Sequence, residues 1–279
     1  MLIDTNYKKT SKINFREKPM KIQRLSTVSY KFWSPKGKVI LVDPWLTNDP
    51  LWPLAERTPK KLSEVDVIAV THAHFDHSSG INEIVQQNEN ASVIAQSEYG
   101  YSLIGRGIKN VIRMNMGATI ELHGIKFSMV SASHTSSEMD EEGKVQVVGV
   151  AVGYVMEFEN RLKIYVSGDT GLTADMKFVV SDYYKPQISI LPVTGVFVME
   201  PEQAAYAANV IGSKYVIPSH DFPKKVSDAA NPNAYEEFVK RFPVLDSYKK
   251  VNTFTEIMKN HYPHIETIYI PIGGLAEIG

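Results

Sequence analysis

Three histidines directly follow a short apolar strand pattern, and this arrangement limits the possible folds more than any other part of the sequence. The stretch is VIAVTHAHFDHSSG at 67–80. In extended geometry, side chains two residues apart point the same way, so His72 and His74 can bind the same ion. Asp76 and His77 follow where the chain leaves the extended conformation, which lets them face a second ion beside the first. The chain must therefore fold so that this strand end meets further ligands.

The composition of the chain narrows the chemistry of such a site. A chance H-x-H-x-D-H match is expected in on the order of one in a few thousand chains of this length. The sequence contains no cysteine, so nitrogen and oxygen atoms must supply every metal ligand. These donors suit zinc, which we take as the default, and also manganese or iron. Ser78 is predicted to cap the helix that follows the motif.

Three other strand patterns each end at a residue that can bind a metal. They are IKFSMVSAS before His134, LKIYV before SGDT with Asp169, and YVIP before SH with His220. Loops at the carboxyl ends of strands usually converge on a ligand in α/β proteins. Imidazole and carboxylate groups from four separate segments are therefore expected to surround paired cations.

The remaining histidines are predicted to lie away from this site. His123 is interpreted as the tip of a hairpin whose return strand leads to His134, and the extended chain between the two spans about 35 Å. Only one of them can be a ligand, and the matching strand end favours His134. His261 and His264 flank a proline before the last strand and are expected to face solvent.

Some residues near the strand ends have two interpretations. Asp43 follows the strand VILV and can either hydrogen-bond a ligand imidazole or cap the turn in D-P-W. Trp45, Trp52 and the run 194–199 can either line a substrate cleft or cover the core. The sequence leaves these alternatives open.

Short β-branched segments recur along the chain, first joined by hairpins and later alternating with helices. Strands are predicted at 21–32, 39–42, 67–70, 92–95, 111–114, 125–133, 147–158, 162–166, 188–191, 215–218 and 265–270. Helices are predicted near 79–88, 97–104, 173–183, 200–212, 231–240 and 252–260. The helix at 200–212 has the clearest signals, with Pro201 in its first turn and Gly212 at its end. This order of elements favours two mixed sheets covered by helices.

With these residues assembled, the chain resembles the metallo-β-lactamase superfamily, whose hallmark H-x-H-x-D-H corresponds to residues 72–77. The resemblance extends to the later His, Asp and His positions and spans about residues 21–272. Within the superfamily, LVDPWLTN at 41–48 and VFVMEPEQAA at 196–205 are similar to the small cytoplasmic metal-dependent hydrolases related to ascorbate-6-phosphate lactonases. The resemblance implies an α/β fold, an αββα four-layer sandwich, with 20–279 as a single metallo-hydrolase domain. The leader at 1–19 is rich in Lys, Asn and Thr without a clear period, and it is expected to be poorly ordered.

The resemblance also implies which residues would bind two divalent ions. The implied ligands are His72, His74 and His134 for the first ion, Asp76, His77 and His220 for the second, and Asp169 as a bridge between the two. Asp76 is further expected to act in catalysis, because its second carboxylate oxygen can orient a bridging hydroxide and carry its proton to the leaving group.

Two metal ions can share a hydroxide that attacks a substrate at neutral pH. We therefore predict a hydrolase that acts on a small lactone, ester or phosphorylated metabolite. The alternatives are a phosphodiesterase acting on RNA ends or cyclic nucleotides, and a non-enzymatic metal-dependent binding or sensor protein. The formal net charge of -1 gives no reason to expect a nucleic-acid partner. No segment approaches the roughly 18 apolar residues of a membrane span, and the N-terminal segment lacks a secretory signal. We therefore expect a cytoplasmic protein with a small-molecule substrate; the sequence is also compatible with a homo-oligomer.

Overall fold

The computed structural model describes residues 10–13, 20–140, 142–242 and 247–278. The strands are β1 (Thr10–Ile13), β2 (Met20–Arg24), β3 (Tyr30–Trp33), β4 (Val39–Val42), β5 (Val67–Ala69), β6 (Ser92–Gln96), β7 (Val111–Met114), β8 (Thr119–Leu122), β9 (Ile125–Ser131), β10 (Ser137–Met139), β11 (Val145–Val147), β12 (Val152–Glu157), β13 (Lys163–Val166), β14 (Ile188–Pro192), β15 (Tyr215–Ser219), β16 (Glu266–Thr267) and β17 (Leu275–Ile278). The α-helices are α1 (Pro59–Ser63), α2 (Phe75–Ser78), α3 (Ile81–Gln87), α4 (Ser97–Gly105), α5 (Pro201–Ile211), α6 (Pro232–Arg241) and α7 (Ser247–His261). A π-helix spans Met176–Tyr184, and two 3₁₀ turns span Leu54–Glu56 and Val226–Asp228.

The first sheet has eight strands in the order β1-β17-β2-β3-β4-β5-β6-β7. Strands β2, β3 and β4 pair antiparallel, whereas β4, β5, β6 and β7 run parallel. Parallel neighbours need crossover connections, and helices α1 to α4 supply them. As a result, the carboxyl ends of β4 and β5 lie side by side at one edge of this sheet.

The second sheet has seven strands in the order β16-β15-β14-β13-β12-β9-β8. Its β8, β9, β12 and β13 pair antiparallel, and β13 to β16 run parallel. The π-helix, α5, α6 and α7 connect the parallel strands. The carboxyl ends of β13, β14 and β15 therefore also meet at one edge.

Three apolar clusters hold four layers together. The central cluster lies between the sheets and joins residues such as Phe32 and Ile40 to Phe127 and Tyr154. A second cluster packs α5, α7 and the π-helix on the second sheet, and a third packs α1, α3 and α4 on the first. The Tyr154 hydroxyl also donates a hydrogen bond of 2.9 Å to the Val70 carbonyl, which ties the two sheets together just before the histidine motif.

The expected αββα four-layer sandwich of two mixed sheets is confirmed. Helix α5 begins with Pro201 and ends at Gly212, whose φ of 72° is left-handed, as the sequence predicts. The predicted strand at 147–158 is interrupted, because only its second part, β12, joins the large sheet. The predicted leader at 1–19 contains one described strand, β1, which pairs with β17; residues 1–9 and 14–19 lie outside the described residues. Among the described helices, none is both long enough and apolar enough to span a membrane.

Candidate metal centre

The loop after β5 and the short helix α2 position the four candidate ligands of the motif. The chain stays extended through His74, with φ and ψ of -59° and 148°, and α2 begins at the next residue. His72 and His74 therefore project the same way, while Asp76 and His77 lie in the first turn of a short helix. Ser78 does not cap the following helix as predicted, because its hydroxyl donates back to the carbonyl oxygens of residues 73 and 74.

The other three predicted ligands lie just beyond strand ends. His134 follows β9, Asp169 follows β13 and His220 follows β15. All seven predicted ligand side chains lie in one cluster, so the structure brings together every residue that the sequence predicts as a metal ligand. Its members are His72, His74, Asp76, His77, His134, Asp169 and His220.

Three imidazoles direct nitrogen atoms toward one point. His72 Nε2 lies 3.0 Å from His74 Nδ1, and His134 Nε2 lies 3.3 Å from the same Nδ1. One nitrogen from each ring falls within 4.8 Å of the others. This spacing leaves room for a cation bound by all three rings, for which metal–nitrogen distances of about 2.0–2.1 Å are typical of zinc.

A second set of donors adjoins the first. Ligand atoms of Asp76, His77 and His220 lie within 4.8 Å of one another. The Asp169 carboxylate stands between the sets, with Oδ2 3.1 Å from His220 Nε2 and 3.7 Å from His134 Nε2. Its other oxygen, Oδ1, is 3.4 Å from His77 Nε2. A carboxylate in this position can reach a cation in either set.

Asp43 anchors two of the imidazoles. Its Oδ2 lies 2.9 Å from His77 Nδ1 and 2.8 Å from the Thr71 hydroxyl, which is itself 3.0 Å from His72 Nδ1. If the Thr71 hydroxyl donates to Asp43, it accepts from His72 Nδ1–H, and the Nε2 atoms of both rings keep free lone pairs. Of the two sequence interpretations, the structure supports the hydrogen bond to an imidazole. Sequence reasoning missed Thr71, although its place directly before the first histidine was visible.

Close packing fixes the segment that carries Asp169. Gly168 has a left-handed φ of 60°, and a Cβ atom there would lie 2.7 Å from the Thr71 Cβ. A side chain at position 168 would therefore clash with Thr71 and push apart the loops after β13 and β5, which carry the candidate ligands. The glycine of SGDT is therefore required by the approach of two ligand-bearing loops.

A buried ion pair supports the turn at His220. This residue has a left-handed φ of 69°, and its amide donates to the Thr27 carbonyl at 2.9 Å. Arg24, which is fully buried, donates to the carbonyl oxygens of Thr27 and Asp221 and pairs with the Asp221 carboxylate at 2.7 Å. The guanidinium thus fixes both the Thr27 carbonyl that accepts from the His220 amide and Asp221, the residue that follows His220.

The imidazoles of the first set are held neutral. Burial lowers the pKa of His72, His74 and His134, and neighbouring imidazoles lower all three pKa values further. A neutral imidazole keeps the lone pair that a metal ion requires. The electrostatics of this set therefore favour binding of a cation over binding of protons.

In the second set, the pKa values of the imidazoles are raised instead of lowered. Burial opposes the charge on Asp169, but the imidazoles of His220 and His77 outweigh it and hold the carboxyl pKa well below its usual range. Burial likewise lowers the pKa values of His77 and His220, yet Asp169 outweighs it and raises both. A cation bound here would replace protons on imidazole nitrogen, so binding would release protons.

One atom tests directly whether a cation fits. His77 Nε2 is buried and has no hydrogen bond of good geometry within the described residues, since the Asp169 and Asp76 carboxylate oxygens lie 3.4 and 3.8 Å from it. Leaving a buried polar atom unpaired costs about 1–3 kcal/mol. His77 belongs both to the set with Asp76 and His220 and to a further group with His72 and Asp169, and a metal ion would satisfy this nitrogen. The residues present therefore fit a metal site made of nitrogen and oxygen donors.

The three histidines that were predicted to lie away from the metal centre are outside the cluster. His123 has a left-handed φ of 55° at the tip of the β8–β9 hairpin, and His261 and His264 are exposed. Trp45 and Trp52 are each 1% exposed, so they cover the core and do not line a cleft. The run 194–199 does reach the site, because the Thr194 hydroxyl lies 3.3 Å from His220 Nδ1.

The chain is similar to known proteins over most of its length. A family profile described as the beta-lactamase superfamily domain matches residues 38–220. A UPF0173 metal-dependent hydrolase of Koribacter versatilis is 37% identical over 222 residues, which cover 79% of this chain and 91% of the relative. A second UPF0173 metal-dependent hydrolase, from Methanosphaera stadtmanae, is 39% identical over 202 residues, which cover 72% of this chain and 83% of the relative. The solved structure of a metallo hydrolase from Ignicoccus hospitalis superposes with a TM-score of 0.67 at 22% identity, covering 94% of this chain and 99% of that one.

Proposed function

The chain belongs to the metallo-β-lactamase superfamily of metal-dependent hydrolases, and we propose that it uses two divalent cations to hydrolyse a small lactone, ester or phosphorylated metabolite. One observation carries the proposal. The donor atoms of seven side chains converge in two groups of three that are joined by Asp169. Such a constellation has few uses other than to hold a pair of cations close together.

The proposed ligands divide between the two cations. His72, His74 and His134 would hold the first cation, and the group formed by Asp76, His77 and His220 would hold the second. Asp169 would contact both. Nitrogen and carboxylate donors without sulfur suit zinc, and also manganese or iron.

The number of ligands supports catalysis over a structural role. Structural zinc is generally closed by four protein ligands, whereas three ligands and a shared carboxylate leave positions for water and substrate. When bound, the cations would lower the pKa of a water between them and withdraw charge from the substrate oxygen. A serine or cysteine nucleophile is then unnecessary.

Asp76 is the proposed proton carrier. Its side chain is 19% exposed, compared with 4% for Asp169, so it borders the solvent-accessible side of the cluster. One carboxylate oxygen would contact the second cation, and the other would take the proton of the attacking water and return it to the leaving group. Asp43 and Thr71 would hold His77 and His72 in the tautomers that leave both Nε2 atoms free.

The test is a hydrolysis assay of the full chain loaded separately with zinc and with manganese. The panel contains lactones, carboxylic esters, thioesters and bis(p-nitrophenyl) phosphate. We expect turnover of at least one lactone or ester, with a loss of roughly 10²-fold or more in kcat for Asp76→Asn. The matched control is Asp66→Asn, which alters a half-buried carboxylate paired with Lys38 and should change kcat little.

Two results would contradict the proposal. Cleavage of the phosphodiester without hydrolysis of any lactone or ester would favour the phosphodiesterase alternative. A protein that binds two cations and remains inert across the panel would favour a binding or sensor role.

A further inference from the structure

Large apolar side chains are exposed on the segments that carry the second ligand set. Phe75 lies between ligands His74 and Asp76, and 52% of it is exposed. Val196 and Phe197 are 87% and 69% exposed in the loop that contacts His220 through Thr194. Single exposed apolar residues need no explanation, but apolar residues concentrated beside a catalytic cluster mark a binding surface.

Phe75 rests on a rigid aromatic base. Its ring meets Trp45 edge-on at a centroid distance of 5.9 Å and lies 6.1 Å from Phe242. Trp45 is itself buried, and it packs against Phe222 and Phe238. Because the base is closely packed, the exposed part of the Phe75 ring is held in place.

The loop with Val196 is held in a strained conformation. Val196 has a left-handed φ of 63°, which a β-branched residue rarely adopts. Strain of this kind persists where the surrounding structure enforces it, and it concentrates at functional sites. The loop is tied at both ends, because Thr194 contacts His220 and the Met199 amide donates to the Thr170 carbonyl at 3.1 Å. The enforced conformation leaves the Val196 side chain exposed to solvent. Packing within the chain therefore does not account for an apolar side chain at this position.

Among the described residues, no lysine or arginine bonds to the side chains of the cluster. The described hydrogen bonds and ion pairs of the seven ligand side chains go to one another and to Asp43, Thr71, Thr135 and Thr194. Arg24 lies behind His220, fully buried and engaged by Asp221 and carbonyl oxygens. The described contacts of the cluster therefore supply no lysine or arginine partner for a phosphate or carboxylate on the substrate.

We propose that the substrate is an uncharged acyl ester or lactone with an apolar chain, seated against Phe75, Val196 and Phe197. This inference rests on the proposed function and narrows it, because it selects the apolar ester or lactone over the phosphorylated metabolite. Water attacks the carbonyl carbon, the bond from that carbon to the leaving oxygen breaks, and the proton taken by Asp76 passes to that oxygen. The acid that forms loses its remaining proton to solvent, so the products are a carboxylate, an alcohol and one released proton.

Two series with increasing chain length test the inference on the metal-loaded full chain. The first is kcat/KM for p-nitrophenyl esters from acetate to octanoate. The second is calorimetric binding of alkyl hydroxamates of two to eight carbons, which reports on the surface without turnover. Burial of a methylene is worth about 0.8 kcal/mol, so kcat/KM and affinity should rise roughly twofold to fourfold per methylene until the surface is covered.

The matched variants are Phe197→Ala and Phe178→Ala. Both phenylalanines are 69% exposed, but Phe178 lies in the π-helix, outside the site. Phe197→Ala should reduce the octanoate-to-acetate ratio several-fold, and Phe178→Ala should leave it unchanged. Val196→Gly is a second variant, which should reduce the ratio while raising the midpoint of thermal unfolding, because glycine relieves the left-handed strain.

The outcomes separate the two proposals. A flat ester series with measurable turnover, or a preference for p-nitrophenyl phosphate over the esters, would overturn the inference and leave hydrolysis standing. An inert enzyme whose hydroxamate affinity still rises with chain length, and loses that dependence in Phe197→Ala, would retain the apolar surface and overturn the hydrolytic function. Equal effects of Phe197→Ala and Phe178→Ala on the ratio would also overturn the inference.

Discussion

At the scale of single residues, Asp43 is the side chain with the largest expected effect on metal binding without being a ligand. It accepts from the Thr71 amide and hydroxyl and contacts His77 Nδ1, so one carboxylate controls two imidazoles. Partners of this kind typically affect metal affinity by 10-fold to 100-fold when they are replaced. We expect Asp43→Asn to weaken zinc affinity by that factor, as measured by competition with a chelator.

Asp66→Asn serves as the control for this prediction as well. Asp66 bonds to Lys38 and to the Val39 amide on the same sheet, outside the ligand cluster. Its replacement should leave zinc affinity unchanged. Equal zinc affinities for Asp43→Asn and the wild type would show that Asp43 does not position the imidazoles.

Asp49 should make stability depend on pH. Burial raises the pKa of this carboxyl to about 7, and its Oδ2 atom has no hydrogen-bond partner within the described residues. The folded protein therefore holds a proton between about pH 4 and 7 that the unfolded chain releases. This contribution to stability is complete below the unfolded pKa of about 4 and is lost as the pH rises through about 7. Asp49→Asn should flatten the fall in the free energy of unfolding between about pH 4 and 7, by up to about 1.4 kcal/mol per pH unit.

Urea unfolding at several pH values measures this effect. The control is Glu89→Gln, because the Glu89 side chain is 78% exposed and lies 3.9 Å from Lys109. Its pH profile should match that of the wild type. If the profile of Asp49→Asn also runs parallel to the wild type, the buried carboxyl does not take up the proton.

At the scale of elements, the end of α5 offers a matched pair of glycines. Gly212 ends the helix with a φ of 72°, whereas Gly105, the last residue of α4, lacks a left-handed φ; neither has a neighbour within 4 Å of an added Cβ. Gly212→Ala should cost about 1–2 kcal/mol, because only the backbone conformation opposes it. Gly105→Ala should be neutral or stabilise by about 0.4–1 kcal/mol. Equal unfolding midpoints of the two variants in urea would contradict this assignment.

Elements with strong local patterns were predictable from the sequence. Strand β7 matches its predicted range of 111–114, and α5 begins and ends at the residues that its proline and glycine indicate. The short strands β10 and β11 were not predicted as a hairpin, because each has three residues with little alternation. Their pairing depends on tertiary contacts such as the bond between Ser102 and Glu138. Strand β17 was missed for a similar reason, since its partner β2 lies at the other end of the chain.

At the scale of the whole molecule, the clustering of the candidate ligands was more predictable from the sequence than the residues around them. Each predicted ligand follows a recognisable strand, and parallel strands must present their carboxyl ends together. The aromatic base under Phe75 was not predictable in this way. It depends on how α6 packs over the loop at Trp45, and no local pattern encodes the contact between Phe75 and Phe242.

The central claim is that seven side chains from the edges of two sheets hold a pair of cations. Anomalous X-ray diffraction from crystals equilibrated with zinc, and separately with manganese, tests it most directly. We expect two anomalous peaks about 3.5–4 Å apart, one among His72, His74 and His134 and the other near His77 and His220. A single peak, or peaks only outside this cluster, would contradict the account.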